Sequence, residues 1–326
     1  MKKILALALI LVLAIACTGV ASAEGALKMA VVVSGATGDN GFYDSAVSGL
    51  NALVDAGKVT GSVIECKNDA SMFTTNIISA AEDCDIVVAV GWEFWDVLCE
   101  VVPEFADTKF IFIDNGLDGI GDNLMSITYA QNEGSFLVGY AAGKLSATGK
   151  IGAIGGEDSE TINDFIVGYE AGAKLANPEI EVQVKYSNTY DDPAIGKEIA
   201  LALYDNGCDI IFQVADKCGI GAFEAAAERN LYAIGVDTDQ KYMDPDHIVC
   251  SMKKEVGKSI EAAVDMLIDG EWLGGQIWVA DLSSGMVDIG YGDDSMPQQI
   301  SDEIKAEIEE VRDQILNGVI EVPTAF

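Results

Sequence analysis

The chain has 326 residues, 50% of them hydrophobic, and a formal net charge of −34 at pH 7. This length is roughly that of two ordinary domains, so we expect two domains. The strong negative charge excludes nucleic-acid binding, which needs cationic side chains against phosphates. It also excludes docking by charge on an anionic membrane surface.

The first residues have the features of an export signal. Two lysines precede an uninterrupted apolar run at residues 4–16, which is shorter than the about 20 residues needed to span a bilayer. Two ends of the signal remain open. Cleavage after the Ala-Ser-Ala of residues 21–23 would remove residues 1–23, and a loose lipobox before Cys17 would make that cysteine a lipidation site. We therefore expect an extracytoplasmic protein, either lipid-anchored at the cell membrane or secreted.

Short apolar runs rich in β-branched residues alternate with stretches of helical spacing along the chain. We expect strands at residues 29–33, 62–66, 86–90, 110–113, 125–129, 151–154, 182–184, 210–214, 233–236, 248–252 and 276–280. We expect helices at residues 42–53, 134–146, 161–176, 195–206, 221–229, 256–268 and 300–315. Apolar strands that alternate with amphipathic helices predict parallel sheets with helices on both faces.

The strands form two series, and no linker is evident between them. We predict an α/β fold of two doubly wound parallel-sheet lobes, with a chain that passes between them more than once. The predicted lobes are residues 27–130 plus 251–281 and residues 131–250 plus 282–326. Ligands of such sheets bind beyond the carboxyl ends of the strands, so the loops of both lobes should meet in one cleft.

The loop after the first strand contains Asp39, Asn40 and Phe42. It has neither the lysine of a phosphate-binding loop nor the glycine spacing of a dinucleotide-binding loop. Its polar side chains and ring suit a neutral ligand that carries a ring. Alternatively, Asp39 or Asn40 caps the following helix and Phe42 packs in the core. Both interpretations remain open at this point.

Aromatic residues follow the third strand, at residues 92, 94 and 95. Three aromatic side chains in four residues at a turn exceed what a core usually needs there. Because aromatic walls are common in ligand pockets, we predict that Trp92 and Phe94 contact a ligand.

Asp114, Asp216 and Asp237 each stand at the end of a predicted strand. Converging carboxylates serve either as a catalytic pair, as in glycosidases, or as acceptors for the hydroxyls of a sugar. The only histidine is His247, so no Ser/His/Asp set is available and polyol recognition fits better. The scattered cysteines contain no C-x-x-C pair, and we expect buried thiols, no metal site and no cofactor.

Several segments resemble one known family. They are NEGSFLVGY at 132–140, IGAIGG at 151–156, FIVGYEAG at 165–172, DIIFQVA at 209–215, AFEAA at 222–226, AIGVDTDQ at 233–240 and ILNGVIEVP at 315–323. Together they resemble the basic membrane protein (BMP) lipoproteins, which are the purine-nucleoside receptors of ABC-type importers.

The resemblance implies a type I periplasmic-binding-protein fold with a hinge of three crossings between the lobes. It also implies a monomer, partnered by an ABC permease and ATPase, that stacks a purine base on an aromatic ring and holds the ribose with charged groups. The family's first loop falls on Asp39 and Phe42, and its strand-end aspartates fall on Asp114 and Asp237. Its lysine falls on Lys254, which would pair with Asp237 and the ribose hydroxyls.

Two cleft segments depart from the family pattern. Residues 216–219 read Asp-Lys-Cys-Gly in place of Gly-Gly-Thr-Gly, and residues 157–160 are unusually acidic. A modified nucleoside or another sugar-like ligand therefore remains an alternative, as does a sensing lipoprotein of the same fold. A nucleoside hydrolase is disfavoured because the first loop lacks the run of aspartates that binds calcium in such enzymes. We expect a receptor and not an enzyme.

Overall fold

The structure, a computed structural model, describes residues 26–326. The expected signal and Cys17 lie outside these residues. The strands are β1 (Leu27–Val33), β2 (Val59–Glu65), β3 (Ile86–Val90), β4 (Lys109–Ile113), β5 (Leu124–Tyr129), β6 (Lys150–Gly155), β7 (Glu181–Tyr186), β8 (Ile210–Val214), β9 (Tyr232–Asp237), β10 (Ile248–Lys254), β11 (Ile277–Ala280) and β12 (Val287–Gly290). The helices are α1 (Phe42–Asp55), α2 (Phe73–Asp83), α3 (Trp95–Val101), α4 (Gln131–Leu145), α5 (Glu160–Ala176), α6 (Pro193–Asp205), α7 (Asp216–Arg229), α8 (Val256–Asp269) and α9 (Asp302–Leu316).

The strands form two six-stranded sheets. Their orders are β11-β5-β4-β3-β1-β2 and β12-β10-β9-β8-β6-β7. All pairings in residues 26–326 are parallel except that of β10 with β12, which is antiparallel. Central strands such as β3 and β8 are buried along their whole length, as expected of strands covered on both faces. The predicted fold of two doubly wound lobes is confirmed.

The chain passes between the sheets three times, after β5, after β10 and between β11 and β12. These crossings lie side by side. Tyr129 is the register partner of Ala280, and Lys254 is the register partner of Val287. Since β10 stays in the second sheet as far as Lys254, the crossing follows that residue, and the predicted boundary after residue 250 lies too early in the chain.

The helix after the second crossing returns to the first lobe and packs closely on α1. A methyl group added at Gly49 would lie 2.4 Å from the backbone oxygen of Gly257, so only glycine allows this approach. The backbone N–H of Gly257 also donates to Ser45 Oγ at 3.1 Å. This contact fixes α8, and the β10 end that leads into it, against the first lobe.

Outside the region between the lobes, three further expectations from the sequence concern membrane spans, cysteines and metal sites. None of the helices within residues 26–326 is long and apolar enough to cross a membrane. The cysteines of this part are free thiols. Cys208 and Cys250 are buried as predicted, whereas Cys84 and Cys99 are only partly buried. In the same residues no group of side chains is arranged to hold a metal ion, and His247 lies in a loop beside Asp244.

Candidate ligand site between the lobes

A cavity of about 810 Å³, which includes open solvent at its mouth, lies between the strand ends of the two sheets. The first lobe contributes the loops after β1, β3 and β4, and the second contributes those after β8 and β9 together with the start of α5. Among the side chains predicted to contact a ligand, those that line it are Asp39, Phe42, Trp92, Asp114, Asp216, Asp237 and Lys254. The strand ends thus converge where the fold class led us to expect a site.

Phe94 does not lie at this cavity, and its predicted role is wrong. Its ring is 0% exposed and packs against Phe73, with 5.0 Å between the ring centroids, in the core of the first lobe. Residues Trp92–Phe94 form a 3₁₀ turn, which leaves Trp92 45% exposed while Phe94 points inward. The turn therefore divides the aromatic side chains between the cavity and the core.

Asn40 holds the two lobes together and does not line the cavity. Its backbone oxygen accepts hydrogen bonds from Thr238 Oγ1 at 2.8 Å and from Gln240 Nε2 at 3.0 Å. Its side-chain Oδ1 accepts a hydrogen bond from the Tyr242 hydroxyl at 3.2 Å. All three donors belong to the second lobe, so the predicted ligand contact is replaced by a contact between lobes.

Asp39 organises the loop in which it lies. Its carboxylate accepts backbone N–H groups from Gly41, Tyr43 and Asp44 at 3.2, 2.8 and 3.0 Å. The capping alternative is therefore what the structure shows, although the carboxylate also faces the cavity. Burial raises the pKa of Asp39 above its usual value, and the three N–H donors oppose that rise.

The three strand-end aspartates share an unusual backbone conformation. Asp114, Asp216 and Asp237 have φ values of 78°, 45° and 64°, in the left-handed region that residues with a side chain rarely adopt. Aspartate enters this region more readily than most residues with a side chain, and unusual backbone of this kind concentrates at functional sites. All three side chains line the cavity, so the unusual backbone is located where a ligand would bind.

Lys254 forms an ion pair with Asp114 and not with Asp237, which corrects the pairing that the family resemblance implied. The lysine is 2% exposed. Its Nζ lies 5.1 Å from the ring centroid of Phe42, 4.8 Å from that of Tyr129 and 5.3 Å from that of Phe165. Because it ends β10 and Asp114 follows β4, this buried ion pair joins the two lobes.

The carboxyl groups of Asp216 and Asp237 have no hydrogen-bond donor anywhere in residues 26–326. Burial raises the pKa of Asp237 to about 7, and the charge of Lys254 partly opposes the rise. Burial and the nearby carboxylate of Asp39 hold the pKa of Asp216 well above its usual range. Near neutral pH the Asp237 carboxyl group can therefore either donate a hydrogen bond to a ligand hydroxyl or accept one from it.

The cavity also contains side chains that we did not predict. Glu93 accepts a hydrogen bond from Ser34 Oγ at 3.0 Å, and the same hydroxyl lies 3.0 Å from the Tyr43 hydroxyl. Burial raises the pKa of Glu93. Phe165 and Tyr190 add aromatic surface from the second lobe. A sequence signal existed for Glu93, which lies between Trp92 and Phe94, but none distinguished Tyr190 from other loop tyrosines.

Known proteins match this chain along its length. A family model described as "ABC transporter substrate-binding protein PnrA-like" covers residues 26–325. "Basic membrane protein A2" of Borrelia garinii subsp. bavariensis is 33% identical over 330 residues, which cover 99% of this chain and 96% of that protein. "ABC transporter nucleoside-binding protein BmpA" of Lactococcus lactis subsp. cremoris is 33% identical over 320 residues, or 91% of this chain and 89% of that protein. The solved structure of an ABC transporter solute-binding protein from Aeropyrum pernix K1 has the same fold, with a TM-score of 0.81 at 24% identity and coverage of 91% and 94%.

Proposed function

This chain belongs to the PnrA-like, or BMP, family of ABC transporter substrate-binding proteins, and we propose that it binds a purine nucleoside between its lobes. Proteins of this family act outside the cytoplasm and pass a small ligand to a permease and its ATPase. The Lactococcus relative is named as nucleoside-binding, which supports the class of ligand. Whether Cys17 carries a lipid or cleavage follows residue 23 stays a prediction.

One observation carries the proposal, namely that aromatic rings and unpartnered carboxyl groups line a single cavity. A purine offers two flat faces, which Phe42 and Trp92 can contact. The neighbouring hydroxyls of a ribose offer donors, and Asp216 and Asp237 are acceptors that no described residue uses. A hydrogen bond contributes about 0.5–1.5 kcal/mol when the carboxyl group is neutral and about 1.5–3 kcal/mol when it is ionised, so both groups favour a ribose here.

The charge of the cavity favours a nucleoside over a nucleotide. Aspartates at positions 39, 114, 216 and 237 line it together with Glu93, against the lysines at 217 and 254. Lys254 is already paired with Asp114. A phosphate would add negative charge among these carboxyl groups and would be repelled by those that are ionised, whereas a neutral nucleoside adds no charge.

Contacts between the lobes describe a closed arrangement. Besides the Asn40 and Lys254 contacts, Lys217 Nζ donates to the backbone oxygen of Thr37 at 3.1 Å, and Asn68 Nδ2 donates to Asp191 at 2.7 Å. A ligand that touches both lobes stabilises this arrangement over an open one. We propose that the importer recognises the ligand-stabilised closed form.

Thermal unfolding in the presence of candidate ligands tests the function. Inosine, guanosine and adenosine would be compared with hypoxanthine and ribose, each at the same concentration. A nucleoside at about a thousand times its Kd stabilises by about 4 kcal/mol. We expect a far smaller shift with hypoxanthine or ribose, since each leaves half of the cavity unfilled. A larger shift with ribose than with any nucleoside would identify a sugar receptor instead.

The converging carboxylates are also what hydrolysis of a glycosidic bond requires, so catalysis needs its own test. We propose binding without turnover. Inosine incubated with the protein should remain intact, and release of hypoxanthine would make the protein a hydrolase. Import and sensing differ in the partner, and a permease and ATPase that bind the closed form would establish import.

A further inference from the structure

A second cavity adjoins the first. It encloses about 890 Å³, open solvent included, and shares Trp92, Asp114, Ser159 and Thr161 with the first cavity. The two spaces are therefore neighbours, and one ligand can extend from the first into the second. Nothing in the proposed nucleoside site uses the remaining walls of this second cavity.

Gln131 lies in its wall without a hydrogen-bond partner. This residue begins α4 and is 2% exposed, and its Oε1 has no donor within the described part of the chain. Glu157 Oε1, in the same wall, is likewise buried without a donor. Buried polar atoms ordinarily have partners. Two such oxygens beside one cavity point to a missing group that donates hydrogen bonds.

The remaining walls define the charge of that group. Acidic side chains at positions 114, 157, 158 and 160 line the cavity, and no lysine or arginine does so. The rings of Trp92, Tyr129 and Phe326 complete the walls. Acidic groups together with aromatic faces bind organic cations, because the ring faces are electron-rich and the ammonium hydrogens are donors. The acidic side chains would repel an anionic group such as phosphate, which excludes it from this cavity.

We propose that this second cavity is a subsite for an organic ammonium group that accompanies the nucleoside. The inference rests on the proposed nucleoside function and extends it to a cationic ligand. Asp114 lines both cavities and is paired with Lys254, which lines the first cavity together with Asp216 and Asp237. A 5′-ammonium group on the ribose would thus reach Gln131 and Glu157 past Asp114.

Calorimetry with matched ligands at neutral pH tests the subsite. Adenosine and guanosine would be compared with 5′-amino-5′-deoxyadenosine and 5′-amino-5′-deoxyguanosine. We expect the amino compounds to bind about tenfold more tightly than their parents, the scale of a desolvated cation–π contact. A parallel titration of each parent nucleoside with methylammonium chloride present distinguishes a separate ammonium compound from a substituent. The subsite is supported by tighter binding in either arm and is overturned if neither arm shows it.

Two variants link the preference to the proposed residues. Gln131→Leu and Glu157→Gln should each bring the ratio of Kd values between parent and amino compound close to one. Glu104→Gln removes the same charge at an exposed position of the first lobe and should keep the tenfold ratio. A ratio that survives both Gln131→Leu and Glu157→Gln would overturn the assignment of these residues.

The outcomes for the subsite and for the function are separable. If adenosine or guanosine binds and the ammonium group adds nothing, the subsite is refuted while the nucleoside site stands. If none of these nucleosides binds and inosine does not bind either, both proposals fail.

Discussion

The loop after β1 in the first lobe and the loops after β8 and β9 in the second contain the same residue type but use it differently. The carboxylate of Asp39 accepts three backbone N–H groups of its own loop. The carboxyl groups of Asp216 and Asp237 accept none from the described residues, and their own backbone is in the left-handed region. In the wall formed by the first lobe, the protein itself supplies the hydrogen bonds of the Asp39 carboxylate. In the wall formed by the second lobe, the carboxyl groups of Asp216 and Asp237 remain available to a ligand.

This difference shows that an aspartate at a strand end has no fixed role. The number of hydrogen bonds that the protein already supplies determines whether the carboxylate stabilises its own loop or is available to bind the ligand. Asp39 is expected to contribute mainly to stability, and Asp237 mainly to affinity. The following predictions test that division.

The largest effect is expected from Phe42→Ala. The ring is 8% exposed and contacts Tyr43 edge-on, so its removal should cost about 3 kcal/mol of unfolding free energy. Loss of the stacking surface should also weaken nucleoside binding by about 1–3 kcal/mol. Urea denaturation and calorimetry measure the two effects separately.

Phe73→Ala is the matched control for Phe42→Ala. Phe73 is also 8% exposed, but it packs against Phe94 away from the cavity. We expect a similar loss of stability and an unchanged Kd. If Phe42→Ala also leaves the Kd unchanged, its ring is only a core residue and the base lies elsewhere.

Asp237→Asn should have the next largest effect on affinity. Asparagine keeps the size and tolerates the left-handed backbone, but it cannot provide a charged acceptor to the ribose. We expect nucleoside binding to weaken by about 1–3 kcal/mol and binding of a 2′,3′-dideoxynucleoside to change much less. Equal losses for both ligands would mean that Asp237 only sets the geometry of the closed lobes.

The same variant should change how stability depends on pH. Because burial raises the pKa of Asp237 to about 7 from 3.8, the folded protein holds a proton there that the unfolded chain has released. Stability from this group is present at low pH and is lost as the pH rises from about 4 to about 7. Between about pH 5 and about pH 8, ligand-free Asp237→Asn should therefore lose less unfolding free energy than the wild type. Identical losses would show that Asp237 is ionised throughout this range.

Asp39→Ala should lower stability and leave nucleoside affinity nearly unchanged, which is the opposite of the effect expected for Asp237→Asn. Loss of the acceptor for the N–H groups of the loop should cost about 1 kcal/mol of stability, the scale of a helix cap. Asp55→Ala removes the same charge at the exposed end of α1 and serves as the control. Direct loss of affinity at unchanged stability would place Asp39 among the ligand acceptors.

The smallest effect is expected from Thr238→Val. This variant removes the hydroxyl that donates to Asn40 across the lobes, and one neutral hydrogen bond contributes about 1 kcal/mol or less. Nucleoside affinity should fall by no more than about fivefold, and Thr238→Ser should restore it. An affinity that rises in Thr238→Val would show that the contact opposes closure.

Apolar runs predicted most of the strands, and β3 and β8 match the expected residues 86–90 and 210–214, but the short strand β12 (Val287–Gly290) was not predicted. Buried parallel strands carry a strong local signal because both faces are apolar. The ends of elements were less accurate. β10 continues to Lys254 because it pairs with β12, a tertiary contact that its own sequence does not encode.

The sequence predicted a site residue correctly where the residue type alone determines its role. It failed where the local backbone conformation or a distant partner determines whether the side chain lines the cavity. Phe94 and Trp92 are similar in chemistry, and only the 3₁₀ turn between them separates core from cavity. The partner of Lys254 is Asp114, which is distant in sequence and belongs to the other lobe. The left-handed backbone of the three strand-end aspartates has no sequence signature, since glycine would be the usual residue there.

The three crossings that lie side by side have a thermodynamic consequence. Two bodies joined by one flexible linker keep most of their relative translation and rotation, whereas three adjacent connections leave essentially one rotation. Association of separate bodies costs about 4–15 kcal/mol in lost translational and rotational freedom. Here that freedom is lost when the chain folds, before any ligand arrives. A ligand as small as a nucleoside can therefore hold two large lobes shut with only a few hydrogen bonds and one stacked ring.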